Sequence, residues 1–495
     1  MLAEYFDRSA IAAAQVIEGF DEQRFREHLD RTPVGVSGTA GRREGDAMLD
    51  LLVRLLARLY PALYIDVPGS QGAQLAELAV AINPQIELID AAELGIVVGD
   101  GAPFAESIFA GSDDWDSLLD TGRPLPAGDS ANPFGAGAAA CLAAAALFRR
   151  VFLDDWPARA EAELRFSTLH GERADAPTGG PDLPAALAGE TVLAGAGAIG
   201  HGALWALRRL PTGGTLWVVD PESVELSNMQ RYVLAERRHE HAVKAALAAE
   251  LDATVRIEPH EGDLAAFLSA RGHNWPAMLL ALDSARDRVG AQASLPAWIA
   301  NAWTQAGDLG VSDHSPFGGD GACVACQYLL EGPTKNEDEL VAEALGVPEQ
   351  VMEIRTALHT GRPVARPVLE AIAAAVGQQV EALLPFEGRT IRELYVEGFC
   401  GGAVIPLGEA GKPHAAAHDV HVPLAHQSAL AGVLLAAALI RHTLSGPPEV
   451  TRVTRVDVLG PVAALPTQPL RATRQRRCIC DDWVFRSVYE TKTAT

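Results

Sequence analysis

Six residues, Gly195-Ala196-Gly197-Ala198-Ile199-Gly200, limit what this chain can fold into more than any other stretch. They follow a β-prone run, Thr191 to Leu193, and precede an apolar helix, His201 to Leu210; Thr215 to Val219 then reads as a second strand closed by Asp220. Strand, G-x-G-x-x-G, helix, strand and acid in that order predict a Rossmann-like unit with a nucleotide site at the turn. Gly195 makes the tight turn, Gly197 lets backbone approach phosphate, and Gly200 lets helix and sheet pack closely. A purely structural glycine turn is the alternative, and the glycines do not decide which nucleotide.

An earlier block repeats the pattern without the ligands. Val34 to Val36, the helix Met48 to Leu59 and Leu63 to Val67 form strand, helix and strand, continued by Ile86 to Ile89, Leu94 to Val98 and a helix Gly137 to Phe152. Its glycines, Gly35, Gly38 and Gly41, are spaced G-x-x-G-x-x-G, and no acid with a following ligand set stands at the ribose position, so no nucleotide is expected there. The polar stretch Gly171 to Pro184 reads as a linker between the two. After Gly321 come amphipathic helices, Asn336 to Ala344, Pro348 to Leu358 and Val368 to Leu384, then the Gly-, Pro- and His-rich stretch 401–421. The apolar helix Leu424 to Ile440 and the strand Val453 to Leu459 return to the α/β pattern, so the second block is split around an insertion.

Composition narrows the partners. Forty Lys and Arg against 64 Asp and Glu give a formal charge of −24, which argues against nucleic acid or an anionic membrane as a broad electrostatic partner. Ala138 to Phe148 and Ala429 to Ile440 are apolar but short for a bilayer and read as buried helices. Met1 to Ala10 leads into no signal segment, and six Cys in 495 residues are too few for a disulfide scaffold; both point to the cytoplasm.

Downstream of Asp220 the chain reads Pro221-Glu222-Ser223-Val224-Glu225-Leu226-Ser227-Asn228-Met229-Gln230-Arg231, with Lys244 thirteen residues after Arg231 and Asp283 ending the strand Met278 to Leu282. This combination resembles the adenylating enzymes that activate ubiquitin-like proteins, the ThiF and MoeB superfamily, over about residues 185–330 and 395–482. Glu222, Met229, Tyr232 and Ser284 depart from that family's Asp, Leu, Gln and Asn. The resemblance implies that Asp220 binds the ribose of ATP, Asn228, Arg231 and Lys244 its phosphates, and Asp283 a magnesium ion. Phe6-Asp7-Arg8-Ser9 is similar in part to a helix of the family's inactive half whose Arg reaches the partner's ATP, which makes Arg8 a further candidate beside the reading as a surface charge.

The cysteines divide. Cys323-x-x-Cys326 and Cys478-x-Cys480 resemble the family's paired motifs that bind structural zinc, although the second pair has one spacer residue where the family has two. Cys400, in Gly398-Phe399-Cys400-Gly401-Gly402, resembles the family's thioester-forming nucleophile, with a buried thiol as the alternative. Cys141 is expected in the core, and His414, His418, His421 and His426 as solvent-facing loop residues.

The expected organisation is therefore α/β, with two Rossmann-like adenylation-type domains: 1–165 inactive, 185–326 the first part of the active one, 327–422 a helical insertion with the catalytic cysteine, and 423–495 the return helix, strand and zinc-binding tail. The resemblance implies activation of a ubiquitin-like modifier by ATP, Mg2+ and thioester formation, then transfer to a conjugating enzyme, closest to the bacterial antiphage operons of Bil type. It also implies a pseudo-dimer within one chain and leaves a homodimer open. Adenylation of a sulfur carrier for cofactor synthesis, an NAD-dependent oxidoreductase and a nucleotide-holding scaffold are the alternatives.

Overall fold

The computed structural model describes residues 2–153, 163–306, 308–328, 337–395, 422–460, 464–472 and 478–494. They divide into two units, Met1–Leu329 together with Pro423–Thr495, and Leu330–Val422.

The larger unit holds two eight-stranded sheets of mixed but mainly parallel pairing. The first contains β1 (Val34–Gly38), β2 (Ala62–Asp66), β3 (Glu87–Leu88), β4 (Leu94–Val98), β5 (Glu106–Asp113), β6 (Asp116–Asp120), β7 (Leu164–Ser167) and β8 (Glu172–Arg173), in the order 3-2-1-4-5-6-7-8. The second contains β9 (Thr191–Ala194), β10 (Thr215–Val219), β11 (Arg256–His260), β12 (Ala277–Leu280), β13 (Trp298–Thr304), β14 (Asp308–Asp313), β15 (Thr451–Asp457) and β16 (Ala464–Leu470), in the order 11-10-9-12-13-14-15-16. Strand for strand the two orders are the same. Pairing is parallel from β3 to β5 and from β11 to β13, and antiparallel beyond. Each sheet is thus Rossmann-like, with its topological switch point beside its first strand, where open α/β sheets bind ligands.

Small residues bring the halves together. Helices α1 (Phe6–Ala14), α2 (Glu22–Arg31), α3 (Arg43–Leu56), α4 (Gly69–Ile82) and α5 (Phe134–Phe152) belong to the first half. The second half contributes α6 (Ala198–Leu207), α7 (Lys244–Ala249), α8 (Leu264–Arg271) and α9 (Ala285–Ala293), and after the excursion α13 (Ala425–Ser445) and α14 (Trp483–Thr493). Between them fall α10 (Glu337–Ala344), α11 (Val351–Thr360) and α12 (Arg366–Val376) of the smaller unit. Helix α5 lies against β5, β6, α3 and α13, while α13 lies against α6, β13 and β14. Helices α6 and α13 meet backbone to backbone: a Cβ on Gly432 would fall 2.2 Å from the Ile199 carbonyl oxygen, and one on Gly202 would fall 2.6 Å from that of Ala429. Helices α5 and α13 are long and apolar enough to cross a membrane, yet both are mostly buried between the sheets. Cys141 sits in this core, as expected.

A polar lock accompanies the apolar seam. Asp50 of α3 accepts from the Arg209 guanidinium at 2.5 Å, the Trp205 indole at 2.8 Å and its helix neighbour Arg54 at 3.0 Å. Burial alone would raise the Asp50 pKa, but the two guanidinium groups and the indole hold it well below the usual carboxylate range. The stretch expected as a linker is anchored too, because Thr178 N donates to Asp116 and the Trp115 indole to the Pro181 carbonyl.

The smaller unit packs α10, α11 and α12 around Val341, Leu345, Ile354, Leu369, Ile372 and Phe386. Gly361 and Gly377, at φ +62° and +71°, cap α11 and α12 in the left-handed conformation. Gly377 ends the helix that the periodicity carries on to Leu384.

Candidate functional site

The glycine turn has the geometry its sequence requires. Gly195 has φ +95°, and a Cβ there would lie 2.5 Å from the Ala281 carbonyl oxygen; one on Gly200 would lie 2.4 Å from the Gly195 carbonyl oxygen. Both positions need glycine for the chain's own packing. Gly197 differs: a Cβ there would meet only the Tyr232 hydroxyl, at 3.6 Å, so its freedom leaves space in front of the turn. Gly197 is also the N-cap of α6, with no side-chain cap and no acid in the first helical turn. Among the described residues no side chain caps the positive end of that helix dipole, the kind of helix terminus at which anions bind.

Asp220 is buried at the end of β10, where it accepts from Ala196 N at 2.7 Å and Glu222 N at 2.9 Å. Burial raises its pKa, opposed by those two N–H groups and by Lys244. The segment after it holds the cations. Lys244, at the start of α7, is buried and reaches Glu222 at 2.5 Å. Burial disfavours its ammonium, but Tyr232, Glu222 and Asp220 together push its pKa up, so it stays charged. Arg231 is largely buried, and its Nη1 has no hydrogen-bond partner among the described residues. Desolvation lowers its pKa, Tyr232 and Asp283 raise it, and Arg8 lowers it, which places Arg8 within electrostatic reach of the same spot. Helix α1 arrives there because Tyr5 packs with Val224, Met229, Tyr232 and Leu247.

Asp283 follows β12 as an exposed carboxylate with no hydrogen bond among the described residues. Ser284, the departure beside it, is occupied elsewhere, because its hydroxyl caps α9 by accepting from Asp287 N at 3.0 Å. The Asn228 side-chain oxygen accepts from Glu225 N at 3.0 Å, so half of its amide shapes the turn and the NH2 half is left.

Three residues escape a reading of the sequence. Tyr232 has the Lys244 ammonium 5.2 Å and the Arg231 guanidinium 5.7 Å from its ring centre. Arg58 and Arg54, from the first half, donate to the backbone of the same segment: Arg58 to the Tyr232 and Ala235 carbonyls at 2.6 and 2.5 Å, Arg54 to that of Val233 at 3.2 Å. Two Arg four residues apart inside the apolar run Met48 to Leu59 are the available signal, since charges there must find buried acceptors.

The matching place in the first half is filled by the protein. Gly41 N donates to Asp46, Arg43 N to Asp129, and the buried Glu44 accepts from Asp114 N and Ser130 N, so the start of α3 is surrounded by its own carboxylates. Gly101 lies against the end of β1, the Ser37 hydroxyl donates to the Ala102 carbonyl at 2.6 Å, and Phe104 covers Gly35 and Gly95. An acid, Asp66, ends β2 beside Ser37. What is missing is the ligand set, because Val67, Pro68 and then α4 follow.

The four paired cysteines converge. Their sulfur atoms lie within 4.8 Å of one another, with Cys323–Cys478 and Cys326–Cys478 at 3.4 Å, Cys326–Cys480 at 3.5 Å and Cys323–Cys326 at 3.8 Å. None is in a disulfide. Bonds of about 2.3 Å to a tetrahedral zinc imply sulfur–sulfur edges of about 3.8 Å, and a set of four thiols fits that ion. The short Cys478–Cys480 spacing is accommodated by a tight 3-10 turn over Ile479–Asp481. Helix α14 then docks through Lys492, which donates to the His273, Ser294 and Leu295 carbonyls.

Cys400 lies outside the described residues, as do His414, His418 and His421. His426 is not a loop residue: it is buried in the first turn of α13, where desolvation pushes its pKa down to about 3.

The uncharacterized protein y4jF of Sinorhizobium fredii is 41% identical over 510 residues, covering 99% of this chain and 97% of its own length. The chain belongs to the y4jF family. A family model described as Prokaryotic E2 family C matches residues 37–153. Among solved structures, E. coli MccB with MccA overlaps 60% of this chain and 67% of its own at 12% identity and a TM-score of 0.35. E. coli tRNA N6-threonylcarbamoyladenosine dehydratase, TcdA, overlaps 21% and 46% at 21% identity and a TM-score of 0.20.

Proposed function

We propose that this chain is an ATP-dependent adenylating enzyme that activates the C-terminal carboxylate of a ubiquitin-like protein. The observation that carries the reading is the buried, unpartnered Nη1 of the half-buried Arg231, near Arg8 and Asp283, beside a helix N-terminus that lacks a side-chain cap. A buried cation without a partner costs several kcal/mol unless an anion completes the site. A triphosphate carries more charge to meet these cations than the pyrophosphate of NAD does.

The ribose hydroxyls would bind Asp220, whose oxygens are aimed by two backbone N–H groups. The α6 N-terminus, Lys244, Arg231 and the Asn228 amide would hold the phosphates, with Arg8 contributing across the pseudo-dimer. Asp283 offers a hard oxygen ligand to Mg2+, which when bound neutralises phosphate charge. The substrate carboxylate, already ionised near neutral pH, attacks the α-phosphorus; pyrophosphate leaves, and the acyl-adenylate remains. The Cys400 thiolate would then attack the acyl carbon and expel AMP, leaving a thioester for a conjugating enzyme. Cys323, Cys326, Cys478 and Cys480 would hold structural Zn2+, tying the tail to the second sheet. The cellular setting in this reading is bacterial protein conjugation of antiphage type.

The E2 name attached to residues 37–153 suggests thiol chemistry in the first half, but the one cysteine there, Cys141, is buried in the middle of α5, where desolvation pushes its thiol up. The first half serves instead as the support for α1 and α3.

ATP–pyrophosphate exchange that depends on an added ubiquitin-like protein tests the reading, and a DTT-sensitive adduct lost in Cys400→Ala assigns the nucleophile. Calorimetry that detects no uptake of ATP by the intact chain overturns it. Metal analysis should find one zinc per chain, lost in Cys478→Ser.

A further inference from the structure

Tyr232 stands where the resembling pattern has Gln, and everything around it holds its ring in one place. His201 packs on it at 4.7 Å between ring centres with the planes tilted by 36°. Lys244 and Arg231 approach the ring at 5.2 and 5.7 Å. Its carbonyl is gripped by the buried Arg58 at 2.6 Å. Its neighbours Val224, Met229, Ala235 and Leu247 are apolar. The hydroxyl faces the front of the glycine turn, where the phenol oxygen lies 3.6 Å from the point a Gly197 side chain would occupy, with Asp283 within electrostatic reach. Packing for its own sake does not require this arrangement. A Phe would fill the same space, and a buried hydroxyl calls for a partner.

We propose that the Tyr232 hydroxyl is a phosphate-binding donor of this site, completing with Lys244 and Arg231 a three-sided cradle that faces the α6 N-terminus across the nucleotide. The inference rests on the ATP reading given above. The phenol is suited to donate: burial raises its pKa, opposed by the Lys244 ammonium, which hydrogen-bonds the phenol oxygen, so the group keeps its own proton near neutral pH and has it to give. The two cations are drawn to the electron-rich faces of its ring, so the ring orients them as well. A hydrogen bond from a preorganised neutral donor to an anionic oxygen is of the charge-assisted kind, among the stronger ones in proteins.

Calorimetry on the intact chain separates the outcomes, with ATP·Mg2+ and adenosine as the two probes and Tyr232→Phe as the variant. The change removes one oxygen and keeps the ring, and an unchanged thermal midpoint verifies that the fold is kept. The expected result is roughly tenfold weaker ATP binding with adenosine binding unaltered. Tyr232→Phe that binds ATP as tightly as the native chain, or that loses ATP and adenosine equally, overturns the proposal and leaves the ATP reading standing. Native protein that takes up no ATP overturns both.

Discussion

The two halves of the larger unit share one strand order and differ at one edge. In the first, the N-terminus of α3 is met by Asp46, Asp129 and Glu44, and the chain from Gly101 to Phe104 lies over the end of the sheet. In the second, α6 has no acid in its first turn, and Asp220, which accepts from Ala196 N, shares the approach with the cations Arg231 and Lys244. What decides whether such a fold can take up an anion is which groups satisfy the first N–H donors of that helix, since the dipole and the orphan donors are present in both. The first half meets one of them, Arg43 N, with Asp129 and sets Asp46 and Glu44 around the same turn. In the second, no side chain among the described residues caps α6, and Arg231, Lys244 and Arg8 stand within electrostatic reach of the same region, Arg8 coming from the first half's α1.

The comparison can be broken most directly at Arg231. Arg231→Ala should lower modifier-dependent ATP–pyrophosphate exchange by about 10²–10³-fold, the range for removing one preorganised donor from developing charge. Arg42→Ala, at the corresponding start of α3, should leave the rate within about twofold in the same assay. Equal losses would show that the halves are not divided as described.

Next in size is the lock between them. Asp50→Ala strands Arg54 and Arg209 beside a buried indole, and urea denaturation should show a loss of roughly 3 kcal/mol. A loss below about 0.5 kcal/mol, the range of an ordinary surface change, would mean that the halves are joined by the apolar seam alone. Phe104→Ala uncovers Gly35 and Gly95 and should cost about 1–3 kcal/mol in the same measurement. It should add no second ATP site by calorimetry, because the carboxylates at α3 remain. A second equivalent of bound ATP would make Phe104 the sole barrier.

The smallest effect concerns acid. His426 and His201 are buried neutral with pKa values of about 3, against 6.5 when exposed. The unfolded chain therefore binds more protons than the folded one below pH 6.5, and the stability their burial allows falls as pH drops from there toward 3. His426→Leu should flatten the slope of stability against pH across that window, by at most one proton. An unchanged slope would mean that His426 titrates in the folded protein.

Much of this architecture is legible in the sequence because it is local. The glycine turn, Asp220 and the Arg231 to Lys244 interval are set by short-range geometry that a sequence states directly, and the strand–helix alternation follows from periodicity. The rest depends on residues far apart in the chain. Arg58 reads as a stray charge until the carbonyls of Tyr232 and Ala235 are placed above it. Asp66 goes unnoticed because its strand end is set by register and not by motif. His426 reads as a solvent-facing histidine although the helix expected over Leu424 to Ile440 already contains it, because periodicity does not show that its side chain turns inward.

The contact between Gly202 and Ala429, and between Gly432 and Ile199, makes the glycine-turn end of α6 depend on a helix that the chain reaches only after the whole excursion of residues 330–422. A ribosome that has delivered the turn and its cations has built a doorway with no wall behind it. Until α13 arrives, α6 has water where its backing should be, so the nucleotide capture proposed above would be a late event in the birth of this protein, postponed by topology.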